Sequence, residues 1–78
     1  MRRNDLDIQA DLLNVASGGA KKTHLVYQAN LNFQMIKKYL KLLTDKGFIE
    51  ERKDGVYHTT VKGQMFVTQY EELKGLES

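Results

Sequence analysis

Between residues 32 and 47 the apolar positions recur every three or four residues, at Ile36, Leu40, Leu43 and Gly47, and Tyr39 and Leu42 widen the stripe. That spacing predicts an amphipathic helix docked along one face. Asn32 suits its N-cap, because the side chain can accept from a first-turn amide that has no helical partner. Gly47 suits a left-handed stop just past its end, and Lys46 puts a cation near the negative pole of the helix dipole. A weaker pattern of the same period appears twice more. Ile8, Leu12, Val15 and Ala16, with Leu13 at the edge, predict a helix capped by Asn4 or Asp5 and ended by Ser17-Gly18-Gly19. Phe66, Tyr70 and Leu73, flanked by Val67, Gln69 and Leu76, predict a last helix that starts at Val61 with Thr60 as its cap. Lys21-Lys22-Thr23 opens a short helix that runs to Ala29, with Thr23 a candidate cap and Leu25 and Val26 its core residues.

After Gly47 the pattern changes to alternation. Strands over 48–52 and 56–59 flank Asp54-Gly55, and a type I′ turn needs positive φ at both such central residues. The elements make one domain, 1–78, with a thin core. Helix 61–78 is the element least needed to close a three-helix core. A seam of Phe66, Tyr70 and Leu73 is therefore open to a second subunit, and a homodimer through the C-terminal helix is the expectation.

The net charge of +2 matters less than its distribution. Residues 21–46 carry Lys21, Lys22, Lys37, Lys38, Lys41 and Lys46 against Asp45 alone, whereas the residues before and after them are neutral or acidic on balance. Half of the basic side chains thus fall in one third of the chain, the footprint of a face that meets a polyanion. The front of the central helix carries Gln34, Lys37, Lys38 and Lys41, and no acid precedes Asp45. An apolar back with an amide-and-ammonium front is what a helix laid in the major groove of double-stranded DNA requires. Gln34 can pair with an adenine edge, and Lys37 or Lys38 can reach guanine O6 and N7. With no arginine on this helix, phosphate contact should dominate and specificity should be weak. Lys21 and Lys22 suit phosphate contact at the start of the partner helix. Arg52 and Lys53 sit at the hairpin tip, where the charges of an ordinary turn would also stand. Phe33 either touches a thymine methyl or closes the turn as a core residue, and the core role is the expectation. Tyr27 and Tyr39 are expected to be structural.

Other chemistries find little support. The chain has no cysteine, which removes disulfides, thiolate metal sites and a cysteine nucleophile. His24 and His58 are far apart and lack a third ligand at metal spacing. Gly18-Gly19 follows no strand and lacks the spacing of a phosphate-cradling loop. No nucleophile, base and orienting group can be assembled, so neither an enzyme nor a cofactor is expected. No apolar run reaches membrane-spanning length and Arg2-Arg3 is followed by acids, which predicts a cytoplasmic protein without a signal peptide.

Leu-Asn-Phe-Gln-Met-Ile-Lys-Lys-Tyr-Leu-Lys-Leu-Leu at 31–43 with Asp-Lys-Gly-Phe-Ile at 45–49 resembles the recognition helix and first wing strand of a winged helix-turn-helix domain. Tyr-His-Thr-Thr-Val-Lys-Gly at 57–63 resembles its second wing strand and last helix cap. Lys-Thr-His-Leu-Val-Tyr-Gln-Ala-Asn-Leu-Asn-Phe at 22–33 is similar to a group of small archaeal winged-helix proteins, among them ten-kilodalton DNA-binding proteins that dimerise through a C-terminal helix. The resemblance implies a mainly α fold with a three-helix core, a two-stranded wing and a C-terminal helix. It also implies a transcriptional regulator or chromatin-associated protein of an archaeal cytoplasm. By position, Asn32, Phe33, Gln34, Lys37, Lys38 and Lys41 would face the major groove or its phosphates, and Arg52 and Lys53 would be wing contacts. Some winged helices bind protein instead, and Glu50-Glu51 and the acidic tail suit that alternative, in which the lysines meet an acidic partner.

Overall fold

The computed structural model describes residues 4–77, and side chains as far as residue 76; Arg2, Arg3 and Ser78 lie outside them. The first helix, α1, spans Asp5–Ala16. Its cap is Asn4, whose Oδ1 accepts from the Asp7 amide at 2.8 Å while the Asp7 carboxylate accepts from the Asn4 amide at 3.1 Å. This reciprocal box satisfies two donors that have no helical partner. Asp5 has a different task, accepting from the Tyr39 hydroxyl at 2.6 Å.

A two-residue strand, β1 (Ala20–Lys21), leads directly into α2 (Lys22–Ala29). Thr23 is therefore not the cap; extended Lys21 holds that position and gives no side-chain hydrogen bond. Asn30 then turns left-handed at φ 55°, and the Leu31 amide reaches back to the Val26 carbonyl at 3.0 Å. The chain is thereby turned into α3 (Phe33–Asp45), where Asn32 Oδ1 accepts from the Met35 amide at 2.8 Å. At the far end the Phe48 amide bonds the Leu43 carbonyl and the Gly47 amide the Thr44 carbonyl, which closes α3 where expected.

The hairpin joins β2 (Ile49–Glu51) to β3 (Val56–Thr59). Asp54 and Gly55 have φ of 64° and 70°, as the Asp-Gly pair requires, within a 3₁₀ turn over Lys53–Gly55. The two-stranded hairpin is joined by a third strand: β1 pairs antiparallel with β3 on its other edge, giving the order β1-β3-β2. A strand of two residues is too short to display alternation, so the pattern of the chain could not reveal it.

The last helix, α4, spans Val61–Glu77. Thr60 Oγ1 accepts from the Gly63 amide at 3.1 Å and donates to the Gly47 carbonyl at 2.6 Å, tying the helix start to the end of α3. Gly63 lies against the backbone of Phe48, and a Cβ there would sit 2.1 Å from the Phe48 carbonyl oxygen. Only a residue without a side chain lets α4 approach this closely. Beyond it Phe66 stacks on Phe48 at 5.0 Å between ring centroids.

The core gathers Ile8, Leu12 and Leu13 of α1, Leu25 and Ala29 of α2, Ile36, Tyr39, Leu40 and Leu43 of α3, then Ile49 and Val67. Leu13, expected at an edge, is fully buried, because α1 packs against α2, β3 and α4 and so is covered on several sides. The buried back of α3 leaves its other face outward.

Candidate nucleic-acid interface

The outward face of α3 follows from its docking. With Ile36, Tyr39, Leu40 and Leu43 inward, the 3.6-residue period turns Gln34, Lys37, Lys38 and Lys41 to the surface, and all four are exposed. Asp45 closes this face at its C-terminal end. Asn32 is exposed too, but its carbonyl oxygen is committed to the helix cap, which leaves its amide nitrogen free to donate.

Lys37 and Lys41, together with Leu40, Thr44 and Asp45, form one wall of a cleft of about 270 Å³ against the sheet. Lys22, at the start of α2, faces them with Glu51 and Tyr57. Glu51 and Tyr57 are cross-strand partners in the β2–β3 ladder, and Ala20 of β1 pairs with Tyr57 on its other side. The short β1 pairing therefore fixes where Lys22 leaves the sheet. Burial, and then the Glu51 carboxylate, push the Tyr57 hydroxyl above its ordinary range, so it stays protonated and able to donate.

Lys22, Lys37 and Lys41 are thus brought together, with Gln34 and Lys38 on the adjoining surface of the same helix. Lys21 is exposed at the end of β1. Arg52 and Lys53 stand apart from the cleft on the hairpin. Arg52 is not a free cation: its Nη2 lies 2.8 Å from the Glu50 carboxylate, and its Nε donates to the same oxygen at 2.9 Å.

Two aromatic expectations are overturned. Phe33 is 54 % exposed and closes no core, because it begins α3 before Ile36, the first buried position of the helix. Tyr27 is 83 % exposed on α2 and has no structural role in the core, whereas Tyr39 is buried as expected. Thr44, Glu51 and Tyr57 were missed as site residues. Only the strand register and the β1 pairing bring them beside the lysines.

The proposed seam on α4 is divided. Phe66 and Tyr70 are half-buried in their own chain, the first on Phe48 and the second donating to the Asp7 carboxylate, which Lys74 also approaches at 3.4 Å. The Tyr70 bond, then the Asn4 amide and Lys74, hold the Asp7 carboxyl below its ordinary value. Leu73 and Leu76 remain outward, 51 % and 85 % exposed. Among the described residues no helix is long and apolar enough to cross a membrane, and no three potential ligands gather as a metal site would need.

A model of winged helix-turn-helix domains matches residues 2–78. An uncharacterized protein of Methanocaldococcus jannaschii is 34 % identical over 74 residues, and another from the same archaeon is 27 % identical over 71 residues. The match takes in 94 % of this chain and 35 % of the first relative, so the chain spans about a third of that protein's length; for the second the shares are 90 % and 73 %. The crystal structure of Sso10a-2, a DNA-binding protein from Sulfolobus solfataricus, superposes with a TM-score of 0.82 at 28 % identity, over 96 % of this chain and 82 % of that one.

Proposed function

We propose that this chain, which belongs to the winged helix-turn-helix family, binds double-stranded DNA by laying α3 in the major groove. The observation that carries the proposal is the unbroken donor surface of Gln34, Lys37, Lys38 and Lys41, held outward by a fully docked back. Sso10a-2, similar in fold and described as DNA-binding, supports the same reading. In this arrangement Lys21 and Lys22 meet the phosphate backbone, and Asn32, exposed Phe33 and Gln34 at the start of α3 stand where base edges are read. Lys53 offers a wing contact, and Arg52 does so once released from Glu50. The role is that of a binding protein, a transcriptional regulator or chromatin component of an archaeal cytoplasm, and not that of an enzyme.

A homodimer belongs to the same proposal. Leu6 and Leu73 flank a shallow groove with Phe66 and Tyr70 at its base, and Leu76 extends the apolar surface along α4. A second copy laid on this groove would cover Leu73 and pair two α3 helices for adjacent half-sites. Sedimentation at micromolar concentration should give a dimer that Leu73→Glu separates; a monomer at high micromolar concentration would remove this part of the proposal.

Mobility-shift titrations of a mixed-sequence duplex at several salt concentrations test the DNA reading. Each phosphate neutralised contributes about −0.9 to the slope of log K against log salt. Lys38→Ala should reduce the slope by about one per subunit and leave sequence preference unchanged, as a phosphate contact carries no base information. Gln34→Ala should narrow the gap between preferred and random duplex by about 1–3 kcal/mol at nearly constant slope. If neither substitution alters binding to any duplex, the acidic-protein partner becomes the better reading.

A further inference from the structure

We infer that Lys22, Lys37 and Lys41 hold one phosphate group jointly in the cleft between α3 and the sheet, and do not contact three phosphates separately. The duplex backbone is the source of that phosphate if the DNA proposal holds, and a phosphate-bearing small molecule can supply the same chemistry. Lys37 and Lys41 stand one helical turn apart on α3, and Lys22 faces them from α2 across the cleft. At about 270 Å³ the space admits a phosphate group but no stretch of duplex. Long lysine stems let three ammonium groups converge on one tetrahedral anion, each with three donors. The hydroxyls of Thr44 and Tyr57 add donors from opposite walls.

The two carboxylates of the cleft set its capacity. Asp45 and Glu51 line it with the three lysines, and the ion pairs Arg52–Glu50 and Lys74–Asp7 lie elsewhere. Three cations against two anions leave one net positive charge. That suits a single phosphodiester, and a second or third phosphate would meet Asp45 and Glu51 without compensation.

Two readouts on the full chain test the inference. Inorganic phosphate titrated into labelled protein, with sodium chloride at matched ionic strength as control, should shift the amides of Lys22, Lys41, Thr44 and Tyr57 saturably. The Lys22→Ala/Lys37→Ala/Lys41→Ala variant, its fold verified in the same spectra, should bind phosphate at least tenfold more weakly. Shifts that merely follow ionic strength, as in chloride, would overturn the seat. On duplex DNA the triple variant should lower the salt slope by about one per subunit; a fall of about three means separate phosphates and overturns the inference. Saturable phosphate binding with an unchanged slope keeps the seat and assigns it to a small molecule. If the unaltered protein binds no duplex, the DNA proposal fails, and the phosphate titration alone decides the seat.

Discussion

The helices α3 and α4 make opposite uses of their apolar residues. In α3 Ile36, Tyr39, Leu40 and Leu43 lie on one side and are buried together, with Phe33 and Met35 of the first turn left outside, so one face is core and the other is free for a partner. The longer α4 buries Gly63 and Val67, while Val61, Met65, Leu73 and Leu76 point to solvent over an arc of about 120°. It is held at chosen points instead: Gly63 against the Phe48 backbone, Phe66 on the Phe48 ring, and Tyr70 on Asp7. A helix docked by a stripe announces its inner face in its periodicity. In α4 the docked Gly63, Phe66, Val67 and Tyr70 also recur at helical spacing, but a second apolar set on the other side of the helix hides which face is inner.

The contrast can be broken first at α3. Leu40→Ala should cost about 2–5 kcal/mol, as for buried leucines generally. Lys41→Ala beside it should stay within about 0.5 kcal/mol. Thermal melts giving equal losses at the two positions would mean that α3 is docked by another face.

Gly63→Ala addresses the point contacts of α4. Its methyl group collides with the Phe48 carbonyl, and the backbone shift required should cost about 1–3 kcal/mol in urea unfolding. A neutral result would show that α4 does not approach Phe48 in this way. A similar or smaller loss, of about 1–3 kcal/mol, is expected for Gly55→Val, which forces a β-branched side chain to positive φ in the hairpin turn. Spectra showing residues 48–59 helical in that variant's parent would remove the wing itself.

The smallest effect concerns acid. The folded Asp7 carboxyl titrates below its ordinary value, so the unfolded chain takes up this proton first as pH falls. The stabilisation is complete above the unfolded value of about 3.9 and is lost as pH falls through the lower folded value. Urea melts should find Asp7→Asn less stable than the parent at neutral pH, with the gap narrowing below about pH 4. A gap that widens in acid would contradict the Tyr70–Asp7 tie between α1 and α4.

Local chemistry was legible wherever one or two residues decide the outcome. Asn32 and Thr60 cap the helices they were expected to cap, Asn4 rather than Asp5 caps α1, and Asp54-Gly55 turns the hairpin. The back of α3 and its basic front followed from one period. What stayed hidden depends on contacts distant in sequence. Strand β1 is visible only once β3 is in place, and with it come Lys22, Tyr57 and Glu51 around one cleft. Phe33 stands three residues before Ile36 and about 20° from Leu40 around the helix, so periodicity alone could not place it outside the core. Phe66 and Tyr70 carry helical spacing toward a partner, yet Phe48 and Asp7 of their own chain claim much of both.

The most direct measurement is an amide-shift map of the labelled protein titrated with a mixed-sequence duplex. The expected result is a saturable set of shifts over Lys21, Lys22, Gln34, Lys37, Lys38 and Lys41, with Leu73 and Leu76 of α4 unmoved. Shifts confined to α4, with the lysine face of α3 unchanged, would contradict the assignment of α3 as the DNA surface.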